Sequence, residues 1–141
     1  FINNLKKDKN ESKYIEKTLP FSLTKSQTEV ISEINKDISS EKRMFRIVQG
    51  DVGSGKTIVS LLAISNVIES GYQCALMAPT EILASQHHVL AKKIYKDVNF
   101  KIDFLTGKTE TKNRKEILKN LLIPLINEKK FLSWSHVSLF P

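Results

Sequence analysis

The stretch Gly50-Asp51-Val52-Gly53-Ser54-Gly55-Lys56-Thr57 has the residue types and spacing needed to bind a nucleoside triphosphate. It fits the phosphate-binding pattern G-x-x-x-x-G-K-[ST] at every constrained position. The glycines let backbone N–H groups point at phosphate oxygens, and Lys56 offers a positive charge to the β- and γ-phosphates. The Thr57 hydroxyl suits a Mg²⁺ ligand. The alternative is a glycine-rich turn followed by an ordinary surface lysine, so the flanking elements must decide.

A phosphate-binding loop needs a strand before it and a helix after it. The composition of residues 44–49 predicts a short buried strand, and residues 57–68 are apolar nearly all round, which predicts a buried helix. The positive end of that helix would face a bound anion. Both flanks favour the phosphate-binding interpretation.

Upstream of the loop, Gln27 has two possible roles. It follows Thr24 at the spacing of a helix capping box, and apolar residues then recur with helical periodicity. A carboxamide both donates and accepts hydrogen bonds, so Gln27 could also recognise the N6 and N7 edge of adenine. Spacing alone favours the cap.

Beyond the loop, strands and helices alternate. The pattern predicts strands at residues 73–78 and 100–105, and helices at 81–96 and 110–122, the first of them capped by Thr80. A strand, a helix and a further strand specify a right-handed crossover and a parallel sheet. The predicted fold class is therefore α/β, with a parallel sheet flanked by helices as in doubly wound domains.

Two loops at the ends of predicted strands could contact a phosphate backbone. In Pro79-Thr80-Glu81 a hydroxyl coincides with a helix N-terminus, and Thr106-Gly107-Lys108 offers a hydroxyl, a bare backbone and a cation. Ordinary strand exits have similar compositions, so a purely structural role stays open for each loop.

The composition restricts the class of protein. The 141 residues suffice for one modest domain. No apolar run reaches transmembrane length, and the Lys- and Asn-rich start has no secretory apolar core. The single Cys74 excludes an internal disulfide and favours a reducing cytoplasm, while His87 and His88 are interpreted as surface or packing residues. The formal charge of +7 suits a polyanionic partner but also fits lysines on solvated faces.

Several of these stretches together resemble the RecG family of bacterial ATP-dependent DNA helicases, which remodel stalled replication forks and branched DNA. The sequence Val48-Gln49-Gly50-Asp51-Val52-Gly53 is shared chiefly with RecG and its relative, the transcription-repair coupling factor. The resemblance covers about residues 19–122, the first half of the first RecA-like motor domain. The matching stretches are residues 19–24 with Gln27, residues 49–57, residues 75–84 with Gln86 and His87, and residues 105–108.

The resemblance implies roles for these residues. Gln27 would recognise adenine, which reverses the preference for the cap, and residues 50–57 would bind ATP, with Mg²⁺ at Thr57. Pro79-Thr80-Glu81, the motif Ia loop, and Thr106-Gly107-Lys108, the motif Ib loop, would lie along DNA. Such contacts go largely to the backbone, so no base specificity is implied.

The chain departs from the family pattern in three respects. The 141 residues contain no Asp-Glu pair to hold Mg²⁺ and position water, and we expect neither an OB-type wedge domain before the Lys-rich arm nor a second RecA-like domain that supplies an arginine finger. We therefore expect a disordered arm at residues 1–18, a partial helicase ATP-binding domain at 19–122 and a divergent, frameshifted tail at 123–141. The catalytic set would be incomplete, so enzymatic activity of the chain alone is left open.

The leading hypothesis is a truncated RecG-like ATP-dependent DNA helicase that folds marginally and neither hydrolyses ATP nor unwinds DNA alone. Two alternatives remain. One is a non-catalytic nucleotide- or DNA-binding subunit that associates with a separately encoded remainder of the helicase. The other is an unrelated P-loop NTPase.

Overall fold

A computed structural model of the chain describes residues 11–122 and 130–135. The chain divides into two compact units, Phe1–Ser70 and Gly71–Pro141. The first unit contains helices α1 to α3, and the second contains the strands and the other helices. In chain order the elements are α1 (Glu11–Thr18), α2 (Lys25–Ile38), α3 (Lys56–Glu69), β1 (Cys74–Ala78), α4 (Glu81–Ile94), β2 (Lys101–Leu105), α5 (Thr111–Leu122) and β3 (Lys130–Ser135).

In the first unit, α2 packs against α3. Ile34 from α2 and Val59 and Ala63 from α3 form a buried cluster, and Asn66 Nδ2 donates to Asn35 Oδ1 at 3.0 Å across the same pair of helices. Helix α3 is apolar on most sides, as its sequence predicts, because most of its length is covered. This packing fixes the helix that begins at the phosphate-binding loop.

Helix α1 lies where the sequence predicts a disordered arm, so that prediction is wrong for residues 11–18. Ile15 is buried, and the carboxylate of Glu69 accepts hydrogen bonds from Glu11 N at 3.0 Å and from Ser12 N at 3.3 Å. The Ser12 hydroxyl also donates to Glu69 at 2.6 Å. A long-range carboxylate therefore satisfies the free N–H groups of a short polar helix, which local composition does not reveal. Residues 1–10 lie outside the described residues.

Residues 44–49 were predicted to form a buried strand, and the structure contradicts this. They are assigned to no strand, and Phe45 and Ile47 are 99% and 84% exposed. Val48 packs against the buried cluster of α2 and α3. A buried strand requires hydrogen-bonded neighbours as well as apolar residues, whereas this segment is attached to α2 by side chains.

The second unit contains the sheet. Among the described residues it has three strands in the order β1-β3-β2, all parallel. Helix α4 contacts all three strands, and its Ala84 and Ala91 are fully buried, since small side chains allow a helix to approach a sheet closely. The parallel sheet predicted from the alternation of elements is confirmed.

The bounds of α4 agree with the prediction at its start and differ at its end. Thr80 is the N-cap, as predicted, and its hydroxyl accepts a hydrogen bond from Leu83 N at 3.3 Å. The helix ends at Ile94. The next residue, Tyr95, is buried with its ring edge-on to Phe100, at a centroid separation of 5.2 Å. None of the helices in the described ranges is long and apolar enough to span a membrane.

Strand β3 falls within the stretch predicted to be a divergent tail. It lies between β1 and β2, with Ala78 opposite Ser135 and Leu105 opposite Trp134. No strand was predicted there, because the interpretation of the tail followed its departure from the family pattern and not its apolar content. The tail boundary at residue 122 stays a prediction.

Candidate functional site

The phosphate-binding loop is a tight turn at the start of α3. Ser54 N donates to Asp51 O at 3.2 Å, and Val52 and Gly53 form the exposed tip. A Cβ at Gly50 would lie 2.8 Å from Ser54 Oγ, so the Ser54 side chain would have to shift to accommodate any other residue there. Gly55 has φ +83°, a left-handed conformation that favours glycine, and a Cβ there would collide with Gln27 Nε2.

Lys56 turns back onto its own loop. Its Nζ donates to Gly50 O at 2.6 Å and to Asp51 O at 2.7 Å. These carbonyl oxygens take the hydrogen-bonding positions that phosphate oxygens would occupy around the ammonium group. Nucleotide binding would therefore exchange two neutral acceptors for charged ones, which bind an ammonium group more strongly.

Gln27 uses both ends of its carboxamide. Oε1 accepts from Thr24 N at 2.9 Å and completes the predicted capping box, while Nε2 donates to Ser54 O at 2.9 Å. The structure therefore confirms the cap, which also places this side chain against the loop, and adenine recognition by Gln27 stays a prediction. The structure brings Gln27 and the loop together although Gln27 and Ser54 are 27 positions apart in the sequence.

A cleft of about 390 Å³ opens between α2 and the loop. Its lining combines an apolar wall with carboxamides and the ammonium group, a mixture suited to a base next to phosphates. A larger groove of about 780 Å³ lies beside α1 and residues 19–23, but no residue of the loop lines it. The cleft-lining residues that matter here are Gln27, Val30, Gln49, Gly50, Lys56 and Val59.

The residues of the loop fit ATP and one Mg²⁺ ion. Thr57, half-buried in the first turn of α3, follows Lys56 directly. Within residues 11–122 and 130–135, no group of three His, Cys, Asp or Glu side chains could hold a metal. Magnesium commonly keeps several waters and binds one or two protein ligands together with substrate phosphates, so a single hydroxyl is an appropriate contribution.

Arg46 was not identified from the sequence, although it positions the segment that enters the loop. Its Nε donates to Asp37 Oδ2 at 2.7 Å and its Nη1 to Glu33 Oε2 at 2.6 Å. Glu33 and Asp37 are four residues apart, so they share one face of α2. That spacing is a signal for a cation-binding face, but nothing local indicates that Arg46 is the partner.

The second unit brings the two predicted DNA-contacting loops together. Lys108 Nζ lies 3.2 Å from Glu81 Oε2. The hydroxyls are already engaged: Thr80 caps α4, and Thr106 Oγ1 accepts from Lys108 N at 3.2 Å. Pro79 and Gly107 are exposed, whereas Thr106 is 8% exposed.

Two further titratable residues of this unit serve packing. The His88 ring stacks on Phe104 at a centroid distance of 4.8 Å. Partial burial and the neighbouring Lys92 lower the pKa of His88, against an opposing effect of Asp103. Burial raises the pKa of the Cys74 thiol to about 12, so it stays protonated at neutral pH. The interpretation of these residues as packing residues agrees with this geometry.

The model of the DEAD/DEAH box helicases matches residues 24–139, which is most of the chain. The chain belongs to the DEAD/DEAH box helicase family. Helicases of this family use ATP, and membership excludes the alternative of an unrelated P-loop NTPase. The match also extends through most of the stretch predicted to be divergent.

Comparison with individual proteins shows that the chain resembles the helicase RecG. The chain is 43% identical over 115 residues to the ATP-dependent DNA helicase RecG of Treponema pallidum, covering 82% of this chain and 17% of that protein. It is 49% identical over 105 residues to RecG of Bacillus subtilis, covering 74% of this chain and 15% of that protein. The structure of RecG bound to a three-way DNA junction matches with a TM-score of 0.81 at 37% identity, covering 91% of this chain and 17% of that one.

These matches confirm the predicted resemblance to RecG and the predicted fold class, a partial RecA-like α/β domain with a parallel sheet. The chain spans less than a fifth of the length of these relatives, at 17% and 15%.

Proposed function

We propose that this chain is the ATP-binding part of a RecG-like ATP-dependent DNA helicase, a motor for DNA repair, recombination and fork remodelling. The observation that carries the proposal is the loop of residues 50–57, closed by its own Lys56 and joined to Gln27, in a chain of the helicase family. A closed loop with a buried helix behind it is prepared to bind phosphates.

ATP binding would begin with the release of Lys56 from the carbonyl oxygens of Gly50 and Asp51. The ammonium group would then bind the β- and γ-phosphates, while loop N–H groups and the N-terminus of α3 hold the remaining oxygens. Thr57 would hold Mg²⁺, which when bound supplies charge neutralisation on the phosphates. Gln27 would recognise adenine, and its hydrogen bond to Ser54 O would link adenine binding to the position of the loop.

DNA would bind to the second unit through the motif Ia and motif Ib loops. Lys108 is 87% exposed and provides a cation for the phosphate backbone. The net charge of +7 supports a polyanionic partner. By resemblance the substrate is branched or fork DNA and the location is the cytoplasm. A separately encoded remainder of the helicase stays a prediction.

The 141-residue polypeptide by itself is proposed to bind ATP without turning it over. Helicases of this type use an Asp-Glu pair to hold the metal and position water, and the sequence contains none. Unwinding by this polypeptide alone is therefore not expected.

Calorimetric titration with Mg·ATP tests the proposal. Lys56→Ala should weaken binding by about ten-fold or more, because hydrogen bonds to a charged group contribute about 1.5–3 kcal/mol. Lys36→Ala removes an equal charge from an exposed position on α2 and should leave binding unchanged. Equal ATP affinity in wild type and Lys56→Ala would contradict the assignment of the loop. Phosphate release that Lys56→Ala abolishes would contradict the proposed lack of turnover.

A further inference from the structure

An ion pair between Glu81 and Lys108 joins the motif Ia and motif Ib loops, and its two side chains differ in exposure. Glu81 lies in the first turn of α4, and its side chain is 26% exposed, whereas that of Lys108 is 87% exposed. The 3.2 Å contact therefore joins a partly enclosed carboxylate to an exposed ammonium group at the surface.

The backbone around Lys108 is well defined by its own turn. Thr106 Oγ1 accepts from Lys108 N, Thr109 N donates to Thr106 O at 3.2 Å, and Thr106 N donates to Thr109 Oγ1 at 2.9 Å. The backbone of Lys108 is thus held in place, while its exposed ammonium group can exchange partners. Glu81 is within reach, and a phosphate oxygen would compete for the same donors.

A carboxylate repels phosphate, so Glu81 is poorly suited to touch a DNA backbone itself. We propose that Glu81 is an internal counter-ion for Lys108, displaced when a backbone phosphate binds, and that it thereby limits the affinity of this surface for DNA. This inference rests on the proposed function, because it specifies how the same DNA-binding surface is regulated. It replaces the earlier expectation that Glu81 contacts DNA.

A different role for Glu81 is also chemically reasonable. An acidic side chain in the first turn of a helix interacts favourably with the helix dipole whether or not Lys108 is present. A general repulsive charge would also weaken DNA binding without any specific partner. The two explanations differ in one respect: only the counter-ion acts through Lys108.

The test measures binding of the full 141-residue chain to a fluorescein-labelled three-way DNA junction by anisotropy. The proteins are wild type, Glu81→Gln, Lys108→Gln and the double variant, with Glu116→Gln as a control that removes one exposed negative charge from α5. Measurements at about 50 mM and about 200 mM salt report the phosphate contacts, since the salt slope scales with their number. Thermal melts check that each variant is folded.

We expect Glu81→Gln to tighten binding about two- to five-fold at the lower salt, the range that an exposed ion pair contributes. Lys108→Gln should weaken binding, and adding Glu81→Gln to it should restore nothing. Glu116→Gln should change binding less than Glu81→Gln does.

Equal tightening by Glu81→Gln with and without Lys108 would overturn the inference, because the carboxylate would then act as a general repulsive charge. Weaker binding by Glu81→Gln would overturn it as well, since Glu81 would be part of the contact surface. If neither wild type nor Glu81→Gln bound the junction, the proposed DNA-binding function would fall and the inference with it. If both bound it equally, the inference alone would fall.

Discussion

The side chain of Gln27 makes two hydrogen bonds, one from each end of its carboxamide. Its Oε1 accepts from Thr24 N in the cap of α2 and its Nε2 donates to Ser54 O, so both ends are engaged within the protein. Adenine recognition would require the carboxamide to exchange one of these bonds. The affinity for ATP and the position of the loop are therefore expected to be linked through this side chain.

Substitutions of Gln27 can separate its contact with Thr24 from its contact with Ser54. Glu is a usual residue at this capping-box position, so Gln27→Glu should keep the acceptor for Thr24 N while losing the donor to Ser54 O. We expect its stability to stay within about 0.5 kcal/mol of wild type. ATP binding should weaken roughly five-fold, the loss of about one net hydrogen bond. Urea unfolding and ATP titration measure the two effects.

Gln27→Ala is the comparison, since it removes both contacts. It should weaken ATP binding similarly and also lower the free energy of unfolding by roughly 1 kcal/mol through loss of the cap. Normal ATP binding by Gln27→Glu would show that Gln27 only caps its helix. Discrimination between ATP and GTP in the same titrations tests adenine recognition directly.

The loop of residues 50–57 and the helix that follows it could be predicted from sequence because their pattern is local, and phosphate binding by the loop stays a prediction. The loop, its glycines and the first turn of α3 lie within one short stretch, and the pattern specifies each position. The pairing of Glu81 with Lys108 could not be predicted, since it depends on how two strand ends meet in the sheet. Arg46 was missed because its pairing with Glu33 and Asp37 depends on how residues 44–49 pack against α2.

The helices and strands also divide into those that local sequence predicts and those that depend on distant residues. The bounds of α3 and the alternation after it follow from periodicity, whereas α1 depends on a carboxylate far along the chain. Glu69 lies at the end of α3, and its oxygens accept from Glu11 N, Ser12 N and the Ser12 hydroxyl. The stability of α1 is thus linked to the helix that begins at the phosphate-binding loop.

Removing this carboxylate should release α1. In Glu69→Ala the N–H groups of Glu11 and Ser12 lose their charged acceptor, which we expect to cost about 1–3 kcal/mol of local stability. Cleavage by trypsin at Lys13 and Lys17 should become faster, because a frayed helix is accessible to protease. Timed digestion followed by mass spectrometry measures the effect.

Glu16→Ala provides the matched control, since Glu16 is an exposed acid on α1 itself. Its digestion rate should stay near that of wild type. If Glu69→Ala were also digested at the wild-type rate, the carboxylate would not hold α1, and burial of Ile15 would be the main stabilising contact.

The chain as a whole exposes apolar side chains that its composition does not foretell. Phe45 and Ile47 are 99% and 84% exposed, and Met77 in β1 is 55% exposed. The sequence predicted residues 44–49 to form a buried strand because apolar runs of strand length are buried in most parallel sheets. Composition identifies which segments are suited to burial, but it cannot show whether neighbouring strands cover them.

Exposed apolar side chains two residues apart favour association of one chain with another. We expect the double variant Phe45→Ser/Ile47→Ser to shift the chain towards monomer in size-exclusion chromatography with light scattering. Its free energy of unfolding should change by no more than about 0.5 kcal/mol, since exposed positions contribute little to stability.

Val48→Ser is the contrasting substitution within the same segment. Val48 packs against the buried cluster of Ile34, Val59 and Ala63. It should lower the free energy of unfolding by about 1–3 kcal/mol without reducing association, because it places a hydroxyl against apolar neighbours. If the double variant were destabilised as much as Val48→Ser, Phe45 and Ile47 would be buried in solution. The exposed conformation of residues 44–49 would then not be the one populated.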